Sequence, residues 1–261
     1  RIATNVCLDM LGSSQRRARP MDLSGPSTAD RPLPAPLAEN LWIEPVPDAR
    51  VVSAGGDPAD VAVARESIRL AFVAALQHLP PRQRAVLILR EVLHWRAEEV
   101  AELLGTTVAS VNSALQRARA TLGSKDIRSD EASGPLNDEQ RALLDRYVEA
   151  FEQYDMDKLT ALLQEDATWS MPPFDLWLQT HDDIRRWCLG PGIACDGSRL
   201  IPTVANGSPA FGQYKPSPSG GLEPWSLQVL ELSGGRISGI TFFLDTARFF
   251  PLFGLPPRLD A

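Results

Sequence analysis

Histidine and cysteine are both scarce, with three of each in 261 residues. His78, His94 and His181 stand far apart, which argues against a histidine-rich metal site. Cys7, Cys188 and Cys195 are odd in number and lack metal-ligand spacing, so a reduced, cytoplasmic setting fits best. No run of eighteen apolar residues occurs, so no transmembrane helix is expected. No signal-peptide pattern opens the chain. These gaps leave no metal or cofactor implied and no membrane partner. What remains is a length and a 44% hydrophobic content that suit two domains, each with its own core.

The net charge of −7 conceals an asymmetry. Residues 61–122 hold eight Lys/Arg against five Asp/Glu, a net of +3, whereas residues 130–261 hold ten against nineteen, a net of −9. A basic unit is thus tethered to an acidic one, which repels nucleic acid and either binds something else or restrains its neighbour.

Residues 1–19 read as the end of a helix, with Ile2, Val6 and Met10 on one stripe and Arg16, Arg17 and Arg19 at its close. The chain opens inside this pattern at Arg1 and reads as a piece that has lost an N-terminal part. Residues 20–59 form a Pro-rich linker, with eight prolines by residue 58, and no packed element is expected there. Within it Leu41-Trp42-Ile43-Glu44-Pro45-Val46-Pro47-Asp48 holds a tryptophan that needs a dock, on its own protein or on a partner. Helical periodicity returns over residues 60–122 and breaks at Pro80-Pro81, where Pro81 suits a first helical position. Residues 123–136 are a second linker.

Residues 97–122 spell a helix-turn-helix. Val100, Ala101 and Leu104 give the first helix an apolar face, and Gly105 supplies the left-handed backbone of the turn. Val108, Val111, Leu115, Ala118 and Leu122 then recur three or four apart, so one face of the second helix packs inward. The opposite face, centred on Ser110, Ser113 and Arg117 with Asn112 and Gln116 at its edges, has no packing role. Short polar side chains followed by arginine suit a helix laid in a DNA major groove.

Residues 137–261 have another texture. Asn137 with Gln140 forms a capping box, Asp155 and Thr180 are further helix caps, and strand-like runs fall near 167–171, 198–205, 209–214, 224–232 and 236–244. The order predicts an α+β cone with its helices on one face of a curved sheet.

Four stretches resemble a known family. Pro80 to Leu87, Glu99 to Gly105 and Val111 to Leu122 resemble region 4 of the extracytoplasmic-function (ECF) sigma factors, and Arg1 to Leu11 resembles the last helix of region 2. Residues 137–246 resemble the SnoaL-like domains, cousins of nuclear transport factor two and ketosteroid isomerase, which one ECF subgroup carries behind region 4. The resemblance implies promoter DNA and core RNA polymerase as partners, with the SnoaL-like domain modulating activity in cis. It further implies that Asn5 lies near the −10 element.

Ser110, Asn112, Ser113, Gln116 and Arg117 are the candidate base readers, with Arg119 and Arg82 on phosphates. In the cone, Trp169, His181, Trp187, Trp225 and Asp245 are candidate pocket residues for an unknown small molecule. Phe242 and Asp183 stand beside them. Two other readings stay open: a ligand-sensing DNA-binding regulator that acts without polymerase, and a SnoaL-like cyclase or isomerase. No carboxylate pair has a spacing that demands catalysis.

Overall fold

A computed structural model describes residues 17–51, 61, 65, 67–69, 73, 76, 79–123 and 136–260. Asn5 and the rest of residues 1–16 lie outside the described residues, as do Cys7 and His78.

After the short helix α1 (Pro20–Leu23), the helical part comprises α2 (Pro81–Leu87), α3 (Ala97–Leu104) and α4 (Val108–Gly123). Pro81 starts α2 without forfeiting a hydrogen bond, because the first helical N–H has no intrahelical partner. The helix then widens into a π turn over Ile88–Val92, where Leu93 N donates to Ile88 O. Arg96 N donates to the Glu99 carboxylate at 2.8 Å at the start of α3. At the other end Gly105 takes φ 60°, Thr106 N donates to Ala101 O and Gly105 N donates to Glu102 O. This bond pair closes the helix at a left-handed residue. Leu79, Val86, Val100, Val111, Leu115 and Ala118 are buried together in the core of this unit.

The C-terminal part builds α5 (Asp138–Glu152), α6 (Met156–Ala161), α7 (His181–Leu189) and α8 (Thr246–Leu252) around one six-stranded sheet. Its strands are β1 (Leu163–Ser170), β2 (Trp177–Leu178), β3 (Arg199–Ala205), β4 (Ser208–Pro216), β5 (Leu222–Ser233) and β6 (Arg236–Phe243), in the spatial order β2-β1-β6-β5-β4-β3. Only the β1–β6 pair is parallel; the others are antiparallel neighbours. The three expected caps hold: Gln140 N donates to Asn137 Oδ1 at 2.8 Å, Lys158 N to Asp155 Oδ1 at 3.0 Å and Asp183 N to Thr180 Oγ1 at 3.0 Å. Each satisfies a helix N–H that has no partner inside the helix.

The cone is present, yet its helices do not lie on one face alone. Alternation along β5 sends Gln228 and Leu230 to one side and Leu227 and Val229 to the other. Leu230 joins a core with Tyr147, Leu159, Ile184 and Trp187 of α5–α7. Leu227 and Val229 join a second core with Phe249 and Phe250 of α8 and Ile43 of the linker. Both faces are therefore covered, which explains why β5 is buried along most of its length.

The linker departs furthest from expectation. Ser27 N donates to Trp177 O (2.7 Å), Leu37 N to Pro173 O (2.9 Å) and Val46 N to Asn206 Oδ1 (3.0 Å), so the segment wraps the cone. Trp42 docks on its own protein and is 3% exposed. The wrap ends at the β3–β4 turn, where Asp48 Oδ1 accepts from Gly207 N (2.8 Å) and Asn206 Nδ2 donates to Ile68 O (3.0 Å). Ile68 and Arg65 are helical residues between the linker and the helix-turn-helix.

A buried polar ladder crosses the sheet. Tyr147 Oη donates to Gln228 Oε1 at 2.6 Å, Gln228 Nε2 to Gln213 Oε1 at 3.0 Å, and Gln213 Nε2 to Ser198 Oγ at 3.0 Å. Tyr147→Phe leaves the fully buried Gln228 acceptor without its donor and should destabilise the cone by about 1–3 kcal/mol. Urea unfolding of the variant against the parent checks this, and an unchanged midpoint would count against the ladder.

Candidate DNA-reading face and cone cavity

On α4 the inward stripe is Val111, Ala114, Leu115 and Ala118, while Ser110, Asn112, Ser113, Gln116, Arg117 and Arg119 are all exposed. At about 100° per residue the two arginines stand some 200° apart around the helix axis, on opposite edges of the exposed face. Arg117 and Ser110 border a groove of about 220 Å³ together with Arg82, Thr106 and Gln83. Its floor is apolar, from Val86, Leu104, Val111 and Ala114. Arg119 lies on the other edge and pairs with Glu91 at 2.7 Å. Both partners are well exposed, so the pair contributes at most about 1 kcal/mol and a phosphate can displace Glu91. Thr107, which accepts from Ser110 N at 3.2 Å, caps the start of α4, and sequence reasoning passed it over.

The cone encloses a cavity of about 610 Å³. Trp169, Trp187, Trp225 and Phe242 line it, and Trp169 packs against Phe242 with ring centroids 4.4 Å apart and ring planes tilted by 38°. Two of the sequence candidates lie elsewhere. His181 sits at the start of α7 with Nε2 2.9 Å from Gln164 O, an ordinary satisfied contact away from the cavity. Asp245 caps α8, accepting from Arg248 N at 3.3 Å, and faces a smaller groove between cone and linker. Asp183 accepts from Ala29 N at 3.0 Å and so fixes the linker, and that bond holds its carboxyl below the usual carboxylate range.

Sequence reasoning also missed the linker residues Ala29–Leu33, which form one wall of the cavity. Nothing in the local pattern signals this. Among the described residues the one carboxylate on the lining is Asp30, bonded by Arg186 Nη2 at 2.6 Å, and none on the lining is a histidine. Burial pushes the Cys188 thiol up to about 12 and raises Cys195 as well. Both are free thiols, and both should remain protonated and slow to react at neutral pH. Mass spectrometry after iodoacetamide treatment at pH 7.5 should find Cys188 unlabelled in the native protein and labelled in denaturant. Rapid native labelling of Cys188 would contradict the buried position. Among the described residues no group of His, Cys, Asp and Glu is arranged to hold a metal, and no helix is long and apolar enough to cross a membrane.

Comparison with known proteins places this geometry. Residues 69–122 match the family described as Sigma-70, region 4. The ECF RNA polymerase sigma factor SigG of Mycobacterium tuberculosis is 44% identical over 264 aligned residues, covering 99% of this chain and 70% of that protein. The RNA polymerase sigma-E factor of Streptomyces antibioticus is 33% identical over 103 residues, 40% of this chain and 53% of that protein. Among solved structures, the extracytoplasmic function sigma factor SigJ of M. tuberculosis superposes with a TM-score of 0.57 at 21% identity, covering 95% of this chain and 79% of that one. That last likeness speaks for the fold alone: a region 4 helical unit joined to an α+β cone. With the SigG match spanning nearly the whole chain, the protein belongs to the ECF RNA polymerase sigma factors.

Proposed function

We propose that this chain directs core RNA polymerase to promoter DNA in the cytoplasm, with α4 in the major groove of the −35 element and the cone regulating that activity in cis without catalysis. The observation that carries the DNA-reading part is the exposed α4 face, small and polar through Ser110 and Ser113, with Arg117 and Arg82 at one groove. Small side chains admit the helix backbone to the groove, and the guanidiniums reach base edges or phosphates. A non-catalytic cone is supported by the makeup of its cavity, whose one described carboxylate is tied to Arg186. The enzyme reading needs a positioned acid or base, and His181 and Asp245 are both outside the cavity.

Duplex-binding titrations at several salt concentrations test the assignment. Each phosphate contact contributes a slope of about −0.9 in log K against log salt. Arg82→Ala should reduce the magnitude of that slope by about 1 while weakening binding evenly across sequences. A slope identical to the parent's would remove Arg82 from the interface.

A further inference from the structure

The cavity in the cone is large enough for a drug-sized molecule at about 610 Å³. Its lining also defines what kind of molecule. The indoles of Trp169 and Trp187 and the rings of Phe151, Phe174 and Phe242 offer flat apolar faces, while Lys215 Nζ lies 3.6 Å from the ring centre of Trp225. The tyrosine, the glutamine and the two charged groups on the wall are already engaged. Tyr154 Oη donates toward the carbonyls of Cys188 and Gly192, at 2.8 and 2.7 Å. The Gln213 amide is engaged with Ser198, Ser226 and Gln228. Asp30 is paired with Arg186 and Arg31 with Asp175. A cationic guest would find the one described carboxylate of the lining already paired with Arg186 and a second cation, Lys215, held over the Trp225 ring, so its charge would go uncompensated, which is costly.

The second observation concerns the wall itself. Ala29–Leu33 belong to the linker; Ala29 packs into the cone's core and the residues after it lie along the cavity. Ala29 N is held by Asp183, Asp30 by Arg186 and Leu37 N by Pro173 O. Leu33 faces the cavity and yet is 47% exposed. The Asp30–Arg186 pair is well exposed and so weak, and the strap beyond Ala29 yields or tightens for a small free-energy change.

We infer that the cavity is a binding site for an uncharged, planar, aromatic small molecule, taken up beneath the Ala29–Leu33 strap, which closes over it. The bound molecule stacks on the indoles and adds apolar contact for Leu33, so occupancy steadies the strap. This goes beyond the DNA-reading proposal and stands independently of it.

The whole chain is titrated with Nile red, a neutral planar dye, and with Nile blue, its cationic near-isostere. Saturable Nile red binding with Nile blue at least about tenfold weaker is expected, since the lining's one described carboxylate is already paired and Lys215 already sits over Trp225. Ala194→Trp, an exposed cavity-lining position, fills the mouth and should weaken Nile red at least about tenfold. Should that variant fail to fold, Leu33→Asp places a carboxylate on the exposed strap and should weaken Nile red similarly. Hydrogen exchange at the amides of Ser27, Ala29 and Leu37 should slow on saturation. Equal binding of the two dyes, or full Nile red affinity in folded variants, would overturn the site. Unchanged exchange at saturating dye would overturn the closing strap.

Discussion

Arg117→Ala is expected to weaken binding to a duplex carrying the cognate −35 sequence by about 1–3 kcal/mol if the guanidinium reads a base edge. If it meets only phosphate, the loss is smaller, uniform across sequences, and accompanied by a salt slope reduced by about 1. The motive is position: Arg117 is exposed at the groove shared with Arg82 and Ser110. Arg119→Ala should have the lesser effect, because Arg119 occupies the opposite edge of α4 and already pairs with Glu91. Titrations on cognate and scrambled duplexes at two salt concentrations separate these outcomes. Parental affinity of Arg117→Ala on both duplexes would take this residue out of the interface.

The second large effect is expected at the β3–β4 turn. Gly207 has φ +69°, and a Cβ there would lie 2.5 Å from Arg65 O. Gly207→Val therefore meets two obstacles. The left-handed backbone costs a non-glycine residue about 1–2 kcal/mol, and the contact with the Arg65 carbonyl must open. Asp48 is drawn in as well, since its carboxylate accepts from Gly207 N and lies 3.7 Å from Arg65. The expected result is separation of the Arg65 helix from the cone, read as a larger radius of gyration in small-angle scattering. Gly207→Asn tolerates the backbone angle but keeps the clash, so it too should open the joint. An unchanged radius for both variants would mean the contact does not hold the two parts together.

Legibility in the sequence followed the range of the interactions. The caps at Asn137, Asp155 and Thr180 were readable because donor and acceptor are three residues apart. The inward stripe of α4 was readable because a helix repeats its face every three or four residues. The strap was not. Its anchors lie about 150 residues away, as with Ala29 and Asp183, and its apolar residues follow no period. β2 has two residues, too few to show alternation, and α8 carries Pro251 inside it, which argues against a helix. His181 and Asp245 were placed in the cavity by residue type alone. Both sit at helix starts, where polar residues also serve the backbone.

The wrapped linker also fixes an order of assembly. Glu44 meets Arg248 in a two-pronged pair at 2.7 Å, across 204 residues of chain. At about 5–20 residues per second on the ribosome, Glu44 waits roughly 10–40 s before Arg248 has been synthesised. The helix-turn-helix lies between them and closes through neighbours such as Ala101 and Thr106, so its contacts are available well before the cone is finished. A newborn chain thus passes through a period in which Trp42 and Ile43 lack their dock while α3 and α4 can already form. Synthesis itself sets the DNA-reading helices ahead of the domain that wraps them.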